Sequence, residues 1–81
     1  MRIDKFLNAV NITKRRAVAE DMLAHRIVLV NGQVVKKAKE VKIGDIIQMN
    51  YIDRQESFKV LDIPKTKSTP KSKMADYVQL L

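Results

Sequence analysis

Eighty-one residues limit the chain to one domain with a modest core, because a chain this short buries only about 60% of the surface its unfolded form exposes. A hydrophobic fraction of 46% and a mean hydropathy of −0.23 exclude a wholly disordered polymer, and the absence of cysteine excludes a disulfide framework and thiolate metal sites. Sixteen Lys and Arg against nine Asp and Glu leave a net charge of +7, which suits a polyanionic partner.

Ile3, Phe6, Leu7 and Val10 fall at i, i+3, i+4 and i+7, the apolar stripe of a short amphipathic helix. Asn11 and Ile12 interrupt it. Thr13 has the chemistry of an N-cap, and a second helix is predicted over Lys14 to Ala24 with Val18, Ala19, Met22 and Leu23 turned inward. Ile27 to Val30 and Gln33 to Val35 flank Asn31-Gly32, the dipeptide a type I′ hairpin turn requires because both central residues need φ > 0. Lys36 to Lys42 form a basic loop, and Gly44-Asp45 turns the chain into a third strand over Ile46 to Tyr51. A polar turn, Asp53 to Glu56, leads to a fourth strand over Phe58 to Ile63.

From Pro64 to Lys73 the composition shifts to Lys, Ser, Thr and Pro, which reads as a flexible charged linker. Met74, Tyr77, Val78 and Leu81 restore the helical spacing, so a short C-terminal helix is expected, docked on the core or awaiting a partner. The elements describe an α+β protein: a domain over residues 1–63, then a linker and helical tail over 64–81. The longest apolar run, Ile27 to Val30, is far short of the ~20 residues that span a bilayer. Charges at Arg2, Asp4 and Lys5 with no apolar run behind them argue against a secretory signal, and a cytoplasmic protein is expected.

The chemistry-bearing residues are few. There is one histidine, His25, read as a surface or capping residue at the end of the second helix, and the two glycines form no phosphate loop. No metal-ligand spacing occurs, so neither a catalytic site nor a metal nor a cofactor is expected. The cations are better organised. Residues 1–43 carry a net +6, 44–63 a net −2 and 64–81 a net +3. Arg2 and Lys5 share one face of the first helix, while Lys14, Arg15 and Arg16 open the second, where free N–H groups already favour an anion. Three cations there oppose the helix dipole, a cost that points to an anionic partner. Arg15 and Arg16 can each hold two phosphate oxygens or stack on a base, which lysine cannot. Lys36, Lys37, Lys39 and Lys42 add diffuse charge. Of the four aromatics, Phe6 and Phe58 lie on apolar stripes while Tyr51 and Tyr77 can be placed either way; no exposed aromatic platform for single strands is expected, which favours recognition of folded RNA by backbone and shape.

Arg2-Ile3-Asp4-Lys5-Phe6-Leu7, Lys14-Arg15-Arg16-Ala17-x-Ala19, Val28-x-Val30-Asn31-Gly32-x-x-Val35-Lys36 and Val41-x-x-Gly44-Asp45-x-Ile47 together resemble the S4 RNA-binding domain over about residues 1–50. The length and tail resemble its small stand-alone ribosome-associated members, of the heat-shock-fifteen and ribosome quality-control types. The resemblance implies two short helices packed on a small antiparallel sheet, the αL RNA-binding motif. It implies RNA contacts from Arg2 and Arg16, supported by Lys5, Lys14 and Arg15; Thr13, Arg26, Lys36 and Lys37 complete the candidate RNA-binding set. Implied partners are ribosomal RNA and tRNA on an obstructed large ribosomal subunit, bound by a protein that is monomeric when free. The family usually has glycine where the second helix ends, but His25 and Arg26 stand there. One of them must then adopt a left-handed conformation at roughly 1 kcal/mol, or the helix must end differently. Arg26 could also replace the basic residue that often follows that glycine.

Two alternatives stay open on the residues alone: a general nucleic-acid binder without ribosome specificity, and a protein-interaction module using the Met74–Leu81 helix. Binding of anionic membranes through the first helix is disfavoured, because its four apolar residues are needed by the core.

Overall fold

A computed structural model describes all residues, 1–81. Two helices, α1 (Ile3–Ala9) and α2 (Arg16–Ala24), precede strands β1 (Val28–Val30), β2 (Gln33–Val34), β3 (Ile46–Asn50) and β4 (Gln55–Val60). A single helical turn, α3 (Met74–Tyr77), leads into a last strand, β5 (Val78–Leu80). The five strands form one antiparallel sheet in the order β2-β1-β3-β4-β5.

The core follows from two periodicities. Ile3, Phe6, Leu7 and Val10 are fully buried, as the helical stripe requires, and Ala19, Met22 and Leu23 meet them from α2. On the sheet, Val28, Val30, Ile47, Met49, Phe58 and Val60 are buried at alternate positions. The register sets Val28 beside Met49, Val30 beside Ile47 and Ile47 beside Phe58, so one sheet face carries the helices. The Asn31-Gly32 turn forms as the sequence requires, with φ of 51° and 84° between the paired residues Val30 and Gln33. The Asn31 side chain then ties this turn to the next, donating to Asp45 Oδ1 at 3.1 Å and accepting from the Ile46 N–H at 3.0 Å.

Five expectations are corrected. Helix α2 starts at Arg16 rather than Lys14, and Thr13 is not its cap: its hydroxyl donates to the Arg15 carbonyl at 3.3 Å, and no side chain caps the helix. Val18 is 45% exposed, because it lies roughly 100° around the helix from Ala19 and off the Ala19-Met22-Leu23 stripe. Strand β4 runs from Gln55 to Val60 rather than from Phe58 to Ile63, so the hairpin connection is Tyr51–Arg54, closed by the Tyr51 N–H donating to the Arg54 carbonyl at 2.9 Å. The tail helix lasts one turn. Val78 then pairs with Val60, because the free edge of β4 offers backbone groups that an isolated turn leaves unpaired. No helix is long and apolar enough to cross a membrane.

The missing glycine is resolved by Arg26. It takes φ = 57°, its N–H donates to the Leu23 carbonyl at 3.2 Å, and the Ile27 N–H donates to the Met22 carbonyl at 3.1 Å. This is a Schellman closure of α2 with arginine in the left-handed position that glycine occupies without strain.

Candidate nucleic-acid interface

The chain start is fixed against the loop before residue 42. The Val41 N–H donates to the Met1 carbonyl at 2.9 Å, and the Ile3 N–H donates to the Lys39 carbonyl at 2.7 Å. The Met1 amine pairs with Glu40 at 2.8 Å, and chiefly this contact holds the Glu40 carboxyl below the usual carboxylate range. Arg2 is thereby locked at the entrance of α1 in extended conformation.

In the first turn of α1, Asp4 is fully buried. Its Oδ1 accepts the Lys5 N–H at 2.9 Å, while its Oδ2 accepts Nη2–H donors from both Arg2 and Arg16, each at 3.3 Å. Two arginines from separate sequence motifs therefore converge on one carboxylate oxygen. Their side chains remain 38% and 47% exposed, so each guanidinium, with five N–H donors, is oriented without being consumed. Arg16 is braced further by Glu20 at 3.3 Å, one helical turn on. Arg2 Nε is buried without a partner, a polar cost carried at this spot.

Arg2 and Arg16 open onto a groove of about 560 Å³ that Lys5 and Asn8 also line. Its other side is Lys65, Thr66 and Lys67, from the segment read as a flexible linker. Sequence reasoning missed these residues and Asp4. Lys14 and Arg15 are exposed in the loop before α2 and form no ion pair, whereas Thr13 is buried and orders that loop. Lys36 and Lys37 do not join the groove. They line a separate shallow depression of about 500 Å³ along α2, with Glu20 and Asp21. Arg26 sits exposed at the far end of α2.

Of the sixteen Lys and Arg, only Arg2, Arg16 and Arg54 have a carboxylate partner, so most of the positive charge is free to face an external anion. Phe6 and Phe58 are buried, and the Arg54 guanidinium covers the Tyr51 ring at 4.3 Å from its centroid. His25 caps α2 at the surface, its Nδ1 lying 2.8 Å from the Asp21 carbonyl oxygen.

These features define an α+β domain with a paired-arginine cationic groove across its two helices. The S4 domain model matches residues 1–47, and the chain belongs to the S4 domain family. Within it, the chain is similar to small proteins over nearly its whole length. A Helicobacter pylori protein named RQC P-site tRNA stabilizing factor is 42% identical over 78 residues, covering 96% of this chain and 93% of its own length. A Streptococcus pneumoniae protein of the same name is 30% identical, over 100% of this chain and 90% of its own. The trimeric structure of Vibrio cholerae heat shock protein 15 superposes with a TM-score of 0.89 at 25% identity, covering 100% of this chain and 81% of that one.

Proposed function

We propose that the protein acts by binding, without catalysing a reaction, and that it stabilises tRNA in the P site of large ribosomal subunits during ribosome-associated quality control. The observation that carries this reading is the convergence of Arg2 and Arg16 on buried Asp4 at the edge of a cationic groove. A guanidinium held by a carboxylate on one edge presents its remaining N–H pairs in a fixed direction, which suits the paired oxygens of a phosphodiester. Without an aromatic platform, recognition rests on backbone and shape, as for structured RNA.

In this reading Arg2 and Arg16 orient the RNA. Lys5, Lys14 and Arg15 surround them with unpaired charge, and Thr13 sets the loop that carries the latter two. The uncapped start of α2 adds free N–H groups toward an anion. Arg26, just past the end of α2, and Lys36 and Lys37, in the loop after β2 that flanks α2, meet a second stretch of RNA. The name borne by the relatives, P-site tRNA stabilizing factor, supports tRNA as a partner; our reading extends this to ribosomal RNA on the large subunit, in the cytoplasm, met by a monomer.

The test is co-sedimentation with purified large ribosomal subunits, with and without tRNA in the P site. Retention should be stronger on tRNA-carrying subunits and should fall with rising salt. Equal retention on an unrelated RNA duplex of matched length would leave only a general nucleic-acid binder. Loss of retention on deleting residues 74–81, with Arg16→Ala harmless, would instead mark a protein-interaction module.

A further inference from the structure

The cations contributed by the helices do not by themselves make the groove strongly positive. Arg2, Lys5, Arg16 and the Met1 amine stand among Asp4, Glu20 and Glu40, three carboxylates in direct ion pairs with them, which leaves a surplus of one charge. Lys65 and Lys67 raise that surplus to three and have no carboxylate partner of their own. Most of the groove's net charge therefore comes from a segment that its composition marks as a spacer.

That segment is held at both ends. Pro64 is buried on the domain. Five residues on, the Thr69 N–H and hydroxyl both donate to the Ala9 carbonyl, at 3.0 and 2.7 Å, and the Asn11 amide donates to the Thr69 carbonyl at 2.8 Å. Ala9 ends α1, so its carbonyl has no partner within the helix, and Thr69 supplies two. Asn11 sits just past the helix in the left-handed conformation, φ = 70°, which asparagine tolerates. Between the anchors, the Thr66 hydroxyl donates to the Ser68 carbonyl at 2.8 Å and tightens the loop.

We propose that residues 64–69 are the second wall of the RNA groove, clamped to the end of α1 by Thr69 and Asn11. Lys65 and Lys67 then neutralise phosphates of the strand that Arg2 and Arg16 orient. This rests on the RNA-binding reading above and assigns it two further contact residues and two positioning residues. The clamp prepays the ordering that a free lysine tail would have to supply on binding.

The test measures binding to purified large ribosomal subunits carrying P-site tRNA, over a potassium chloride series at fixed magnesium. Lys65→Ala/Lys67→Ala should weaken binding roughly tenfold and reduce the magnitude of the log–log salt slope by about 1.4–1.8, two contacts at ~0.7–0.9 each. Asn11→Gly/Thr69→Val keeps the positive φ and every charge but removes the side-chain clamp. It should weaken binding by a similar factor, and the lysine substitutions should then cost less than about twofold more. An unchanged slope in Lys65→Ala/Lys67→Ala, or fully additive losses when the pairs are combined, would overturn the proposal. If the clamp variant fails to fold by circular dichroism, the lysine variant, altered only at exposed positions, still decides through its slope. Arg16→Ala separates the two levels: if it weakens binding while the lysine variant keeps the full slope, only the second wall fails. If Arg16→Ala binds normally, the RNA-binding reading itself fails.

Discussion

Asp4→Asn separates oriented recognition from diffuse attraction by the sign of its effect. The substitution is nearly isosteric, and the amide oxygen can keep the Lys5 N–H bond. The other carboxylate oxygen becomes an NH2 group, a donor set against the Nη2 donors of Arg2 and Arg16, both now 3.3 Å away. Charge-assisted hydrogen bonds contribute about 1.5–3 kcal/mol each. These are long, and both arginines are partly exposed and can rehydrate, so roughly 1 kcal/mol apiece is the better figure. A total near 2 kcal/mol lowers Tm by roughly 8–16 °C in a domain of this size, yet leaves it folded at 25 °C against a stability of about 5–15 kcal/mol. At that temperature, binding to tRNA-carrying large subunits should weaken by about tenfold, or 1.4 kcal/mol, as the arginines lose their alignment. A diffuse field predicts the opposite, because net charge rises from +7 to +8 and attraction to a polyanion grows. Unchanged or tighter binding by a folded Asp4→Asn protein would refute the oriented-arginine account.

Arg26→Gly should raise stability by about 0.5–1 kcal/mol, since glycine relieves the left-handed strain at φ = 57° but loses more backbone entropy on folding; thermal melting checks this, and a lower Tm would contradict it. Gly32→Val should cost roughly 1–2 kcal/mol. The site is open, with nothing within 4 Å of an added Cβ, so the cost is the φ of +84° itself, and an unchanged Tm would mean the turn relaxes freely. Burial chiefly raises the Tyr51 pKa above its ordinary value near 10.0, with Glu56 adding to the effect. The folded state therefore holds that proton more tightly than the unfolded chain. Its stabilising contribution is whole below pH ~10 and is lost as pH rises through the folded pKa. Tyr51→Phe should flatten this alkaline loss in denaturant titrations, and an identical pH profile in both proteins would contradict the assignment.

Local signals in the sequence carried much of the fold. The α1 stripe, the apolar run of β1 and Asn31-Gly32 each encode their structure within a few residues, and each formed as read. The misreadings share a cause. Met74, Tyr77, Val78 and Leu81 match a helical stripe over only eight residues, too short for spacing to outweigh the open edge of β4, which lies elsewhere in the chain. Gln55 and Glu56 were polar enough to read as turn, but pairing with Asn50 and Met49 makes them strand. In the cationic groove, the shared surface of Arg2, Lys5 and Arg16 was legible from motif and helical phase. Asp4 was not, because its role depends on Arg16 arriving from 12 residues away. Thr69 was still less so: its partners Ala9 and Asn11 lie some 60 residues earlier, and a Lys/Ser/Thr/Pro composition gives no sign of an anchor.

The central claim, that Arg16 grips RNA through an oriented guanidinium and not merely through its charge, is tested most directly by three variants at one fixed salt concentration. Arg16→Ala, Arg16→Lys and Lys39→Ala are compared for binding to large ribosomal subunits carrying P-site tRNA, each first shown to be folded. Arg16→Ala should cost roughly 1.5–3 kcal/mol, the worth of a charge-assisted contact. Lys39→Ala, which removes an exposed and unpaired charge, should cost about 1 kcal/mol or less. Arg16→Lys should recover only part of the Arg16→Ala loss, because it keeps the charge and discards the fork. Equal losses for Arg16→Ala and Lys39→Ala, with full recovery in Arg16→Lys, would reduce the interface to non-specific electrostatics and contradict the account.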